Sequence, residues 1–229
     1  MRSESLSKVS DDDVLIAYSG GTLGRGDPAR GTVEAVLDTG KQLTKICPAS
    51  KGAFVIGLDG YVGHFDGKRI TNMPVPGVST VYCVSEAPDG TVYASAERGG
   101  LYRREGKAWK ALALGIKGDV NVVVALDAKT ALLCGADGLC GRLEGATFVR
   151  YQAPASRHYR AMVEYQGRLY VGAGFHGLDV LEGRVVVPFK ENILAYHLAS
   201  SGKYLFASGR NEAARFDGTA WLANAFTNE

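Results

Sequence analysis

A short pattern recurs along this chain at nearly constant spacing, and that spacing limits the possible folds more than any other feature. The pattern is a strand-like apolar run, a Gly-containing turn, a short second run and an acidic-Gly turn. It reads FVIGLDGYVGHFDG ending at Gly67, VYASAERGGLYRREG ending at Gly106 and ALLCGADGLCGRLEG ending at Gly145. It returns as LYVGAGFHGLDVLEG ending at Gly183 and YLFASGRNEAARFDG ending at Gly218. The closing glycines lie 39, 39, 38 and 35 residues apart. One period before Gly67 is Pro28, inside VLIAYSGGTLGRGDP, a degenerate first copy. Six copies, at roughly 5–40, 41–77, 78–116, 117–154, 155–190 and 191–229, fill residues 1–229 as one domain.

Each copy carries four strand signals. In the third they are VYCVSEAP, TVYASAE after Asp89-Gly90, LYRRE after Gly99-Gly100 and AWKALAL after Glu105-Gly106. β-Branched and aromatic residues fill the runs, and Asp-Gly or Gly-Gly separates them, as antiparallel hairpins require. No segment shows a sustained 3.6-residue apolar period with caps, so no long helix is expected. A lone four-stranded meander cannot bury both faces, whereas radial packing of several can. The expected fold is therefore all-β: a six-bladed β-propeller with four antiparallel strands per blade. Seven blades would need about 270 residues at this period. Five blades behind a divergent amino-terminal segment is the alternative. The chain begins near an innermost strand (LSKVSDD) and ends in an outermost one (TAWLANA), so each blade is expected to come from contiguous sequence.

The succession of apolar run, Gly-Gly-Leu-Tyr and acidic-Gly resembles the short propeller repeats in ligand-sensing domains of bacterial two-component regulators. Residues 92–106 and 169–183 carry the likeness most fully. The resemblance implies blade architecture and brings no function with it.

Lys+Arg 26 against Asp+Glu 24 leaves a formal charge of +2, which gives no general attraction for nucleic acid or anionic membranes. The segment MRSESLSKVSDDD has no apolar stretch after its Arg and does not read as a secretory signal. The longest apolar run, near Val120–Leu126, is strand-sized. Cys47, Cys83, Cys134 and Cys140 form no CxxC pair and sit in apolar runs, where a reduced thiol acts as a small hydrophobe. They point to a reducing cytoplasm.

In a propeller, the loops leading into the innermost strands and the turns between second and third strands lie at one end, where function concentrates. Here those segments gather His158, His176 and His197 with Arg157, Tyr159, Arg160, Phe175, Glu191, Asn192 and Tyr196. Aromatic and Arg side chains anchor protein interfaces, so these ten residues form the candidate partner-binding set. Tyr196 and His197 alternate in an apolar strand, so at least one must face inward. Asp119, Asn121, Glu191 and Asn192 could instead hold a calcium ion, as in metal-assisted lactonase-like hydrolases of six blades. Asp and Asn also cap loops without any ion. The basic run Arg98, Arg103, Arg104, Lys107, Trp109 and Lys110 reads as a charged blade edge that resists edge-to-edge pairing. No phosphate-cradling loop and no Gly-x-Ser-x-Gly elbow occurs. The sequence thus favours a bacterial, non-enzymatic module without a cofactor, binding a partner protein as scaffold, sensor or immunity-type inhibitor. The lactonase-like hydrolase is the alternative.

Overall fold

The computed structural model describes residues 3–10 and 13–225. Among these residues there is no helix; 24 strands pair into six four-stranded antiparallel sheets, each taking its strands in chain order. The first sheet comprises Ser3–Ser10, Asp13–Tyr18, Thr22–Asp27 and Thr32–Asp38. The second comprises Leu43–Pro48, Ala53–Gly57, Val62–Phe65 and Ile70–Asn72. The third runs from Val81–Glu86 through Val92–Ala96 and Leu101–Glu105 to Ala108–Ala111. The fourth runs from Val120–Ala125 through Thr130–Gly135 and Cys140–Glu144 to Thr147–Arg150. The fifth comprises Ala161–Tyr165, Arg168–Gly172, Leu178–Glu182 and Val185–Lys190. The sixth comprises His197–Ser200, Leu205–Ser208, Glu212–Phe216 and Trp221–Ala225. The degenerate first copy forms a complete sheet, which decides between five and six.

The sheets fall into two compact units, residues 1–117 with 125–129, and 118–124 with 130–229. Each has its own core. In the first unit, Leu15, Leu23, Leu43, Val55 and Phe65 of the first two sheets bury together. In the second, Tyr170, Leu178, Val180, Leu205 and Phe216 of the fifth and sixth sheets do the same. An aromatic seam closes that core: Phe189 meets Phe216 at 5.6 Å and Phe216 stacks on Trp221 at 4.9 Å. Such ring pairs add about 1 kcal/mol beyond their buried area. All of Ala53–Gly57 is buried, because a second strand is covered on both faces. Trp221–Ala225 is largely exposed, because a fourth strand has a neighbour on one side only. All four cysteines are buried and none is in a disulfide, in keeping with their apolar surroundings.

Two kinds of turn repeat. Between third and fourth strands, Gly106, Gly145 and Gly183 open two-residue hairpin loops with φ of 59°, 66° and 63°. That left-handed first position is what a type II′ turn demands. Where the motif is Asp-Gly, the carboxylate organises the turn: Asp66 Oδ1 accepts from the Lys68 and Arg69 amides at 2.8 Å each. Asp217 Oδ1 accepts from Thr219 and Ala220 in the same way. Asp27, one period before Asp66, accepts from Ala29 and Arg30, so the degenerate copy keeps the device although Pro28 replaces its glycine.

Between second and third strands, Gly21, Gly60, Gly99, Gly138 and Gly177 all have positive φ and stand 39 residues apart. A Cβ on each would strike the carbonyl of the chain leaving that sheet: Ile116 O at 1.9 Å from Gly99, Pro154 O at 2.5 Å from Gly138, Lys190 O at 2.2 Å from Gly177. These glycines therefore let the outgoing linker lie directly on the turn.

The two turns separate conformational strain from steric overlap. Gly145 and Gly138 have nearly equal φ, but a Cβ on Gly145 meets nothing within 4 Å. Gly145→Ala should cost about 1–2 kcal/mol, the left-handed penalty alone, and Gly138→Ala more, read from urea midpoints. Equal losses would refute the packing role. For Asp217, the Ala220 amide, then the Thr219 hydroxyl and amide, lower the carboxyl from 3.8 to about 2. A depressed carboxyl contributes stability above 3.8 and loses it as pH falls towards 2. Asp217→Ala should therefore flatten the fall of stability between about pH 4 and pH 2.

Candidate functional site

The loop leading into the fifth sheet alternates strictly. Arg157 and Tyr159 point inward, 7% and 0% exposed, while His158 and Arg160 are exposed. The inward pair meets Asp179, which is wholly buried between Leu178 and Val180. The Tyr159 hydroxyl donates to Asp179 Oδ2 at 3.0 Å, and Arg157 Nε lies 3.3 Å from the same oxygen. Arg157 Nη1 also donates to His176 O at 3.2 Å, and Nη2 approaches Glu191 Oε1 at 3.7 Å. Burial raises the Asp179 carboxyl, against the opposing pull of Arg157 and the Tyr159 hydroxyl. Burial, then the Asp179 charge, pushes the Tyr159 phenol upward. Arg157 thereby ties the leading loop to the second turn of its own sheet and to the loop leading into the next.

This corrects the expected surface. Arg157 and Tyr159 do not present themselves to a partner, because an interior carboxylate needs a cation and a donor beside it. Asp179 was missed in the sequence. The signal was there: a lone acid inside the apolar run LDVLE.

The exposed members assemble around a cavity of about 150 Å³ lined by His158, Arg160, Gly174, Phe175, His176 and Tyr196, together with Ala173. Its geometry follows from a break in the repeat. The second turns of the second, third and fourth sheets are Asp59-Gly60, Arg98-Gly99 and Asp137-Gly138, with both residues at positive φ. Hydrogen bonds from Tyr61, Gly100 and Leu139 amides to Leu58, Glu97 and Ala136 carbonyls close these type I′ turns. In the fifth sheet the positive φ moves from His176 to Gly174, and the pairing that encloses the turn, Gly172 with Leu178, starts one residue earlier relative to the repeat. Phe175 is thrown out at 66% exposure, its ring 4.1 Å from that of His176.

Gly174 bridges Ala195 through amide–carbonyl bonds of 3.1 and 2.9 Å in each direction. A Cβ on Gly174 would press into the Tyr196 ring at 3.2 Å, so the bare backbone forms the seat of that ring. The Arg160 guanidinium lies over the other part of the site, 5.7 Å from the Tyr196 centroid. Tyr196 is half-buried and His197 exposed, so the inward member of that pair is Tyr196. His197 does not line the cavity. Glu191 and Asn192 are exposed on the loop leading into the sixth sheet, Glu191 engaged by Arg157.

Asn121 donates its amide to Tyr159 O at 2.8 Å, holding the next leading loop. Among the described residues no three of His, Cys, Asp or Glu converge as metal ligands, and no helix is long and apolar enough to cross a membrane. The basic run of the third sheet is satisfied locally. Glu105 lies 2.6 Å from Arg103 and 3.7 Å from Lys110, and Arg104 covers Trp109.

No family model matches the chain, and no curated protein matches it. Solved structures do. A chain of a mitotic checkpoint complex aligns with TM-score 0.73 at 13% identity, over 93% of this chain and 73% of its own. YCF48 bound to D1 peptide aligns with TM-score 0.70 at 13% identity, over 97% and 82%. The WD40 β-propeller domain of Doa1 aligns with TM-score 0.65 at 8% identity, over 90% and 88%. Identities this low establish the fold alone: a six-bladed β-propeller of four-stranded antiparallel blades.

Interior and exterior members of the leading loop should separate cleanly. Arg157→Ala strands the buried Asp179 and should cost about 3–5 kcal/mol in thermal or urea unfolding. His158→Ala, next to it, should stay within about 0.5 kcal/mol. Equal effects would contradict the alternation.

Proposed function

We propose that this chain is a non-enzymatic protein-binding module that offers the cavity between its fifth and sixth blades to a peptide segment of a partner. The observation that carries this reading is Phe175. It is the most exposed large apolar side chain among the described residues. It sits at the lip of a cavity, in the second turn where the fifth blade lacks the type I′ geometry of the second, third and fourth. Departure from a repeat at an exposed aromatic costs regularity without improving the core, which fits selection for contact with something else.

The surroundings support binding over chemistry. Aromatic rings, a guanidinium and two imidazoles line the site, the composition of an interface hot spot. No carboxylate, hydroxyl nucleophile or thiol other than the Tyr196 phenol lines it. Propellers of the same fold have been solved with a D1 peptide bound and within a mitotic checkpoint complex, so the architecture is compatible with such a role. Scaffold, sensor and inhibitor are versions of this module that differ only in the partner.

A random-peptide display library panned on the immobilised protein supplies ligands without knowledge of the partner. Phe175→Ala should weaken the selected peptides by about 2 kcal/mol. Leu222→Ala, exposed on the fourth strand of the sixth blade, should leave them unaffected, and both variants should melt like the wild type. Selected peptides indifferent to Phe175→Ala would reject this site.

A further inference from the structure

We infer that the cavity beside Phe175 is a receptor for a single carboxylate of the bound peptide, with Arg160 as its anchor; this rests on the binding-module reading above. Three other arginines of the fourth and fifth blades have an acid of their own. Arg157 has Asp179 and Glu191, Arg168 has Glu182 at 3.0 Å, and Arg142 has Glu144 at 3.9 Å. Arg160 differs. Among the described residues no carboxylate lies within ion-pair distance of it, and its guanidinium makes no protein hydrogen bond. It is nevertheless held in place. Its amide donates to Gly172 O at 2.9 Å, and its guanidinium rests over Tyr196, which is seated against Gly174.

A planar cation stacked on a ring presents its N–H fork with little further loss of freedom, which suits two-point capture of a carboxylate. The rest of the lining does not compete. The acids close by are committed elsewhere: Asp137 lies 3.8 Å from His158 Nε2, and Glu191 faces Arg157. His158 and His176 supply the remaining polar side chains apart from the Tyr196 phenol. An anion entering the cavity meets the full positive charge of Arg160, and no carboxylate is among the lining side chains. One guanidinium and about 150 Å³ match a monoanion on one side chain. Phe175 would cover an apolar neighbour of the acidic residue.

The test uses the full chain on a biosensor surface at low salt, with amidated random-peptide pools identical except at the central residue. That residue is Glu, Gln or phosphoserine, and a fourth pool carries Gln with a free carboxyl terminus. The Glu pool should be retained about tenfold more than the Gln pool. Arg160→Gln should abolish the preference and Arg160→Lys should keep only part of it. Arg98→Gln, on the second turn of the third blade, should leave it intact. Preference for the free-acid pool over its amide, lost in Arg160→Gln, supports the same site with the chain terminus as the source of the carboxylate. Equal retention of Glu and Gln pools, or preference for phosphoserine over Glu, overturns the carboxylate assignment while binding-module function stands. Retention of no pool overturns both.

Discussion

The contact on which the rest of this structure depends is a backbone carbonyl resting on a glycine. At the second turn of each of the first five blades, a left-handed glycine has no Cβ to hold off the strand leaving that blade. The outgoing linker can therefore lie directly on the turn. Within each unit adjacent blades share apolar surface, the first with the second and the fifth with the sixth, and polar ties in the second unit fall about one repeat apart. The Tyr165 hydroxyl reaches Lys203 O, and the Ser200 hydroxyl reaches Glu164 O.

The candidate site keeps that contact and varies the turn around it. The fifth blade retains Gly177 against Lys190 O. What changes is the outer part of the turn, where Gly174 takes the left-handed conformation and Phe175 projects into solvent. Scaffold and site are thus separable within five residues. Beneath them, Arg157 and Asp179 make the floor rigid, since neither charge can move without exposing the other to an apolar interior. A binding surface supported by an interior ion pair loses little order on engaging a ligand, which favours affinity.

The blades were legible in the sequence because a hairpin needs particular residues at particular places. Gly106, Gly145 and Gly183 had no alternative, and their spacing gave the count. The cavity-lining part of the site, His158, Arg160, Phe175, His176 and Tyr196, was legible for the same reason: loop position follows from the repeat. The buried half was not. Arg157 and Tyr159 looked like interface anchors because Arg and Tyr suit interfaces, yet both side chains also suit an interior carboxylate. Only their alternation with His158 and Arg160, combined with the isolated Asp179 two strands later, distinguishes the cases. That pairing depends on register between strands, which local composition does not encode.

Every blade is drawn from consecutive strands, with none borrowed from elsewhere in the chain. All-β proteins fold slowly when their pairings join distant segments. Here each named strand pairs only with its neighbours in chain order, so a blade holds all its ladder partners once some 30 to 40 residues have been synthesised. A chain emerging from the ribosome can therefore complete one meander before the next begins, with few unpaired edges exposed to aggregation at any moment. The same modularity makes the period of about 39 residues the unit of structure. Gain or loss of one period would add or remove a whole blade while leaving the carbonyl-on-glycine joints of the others unchanged.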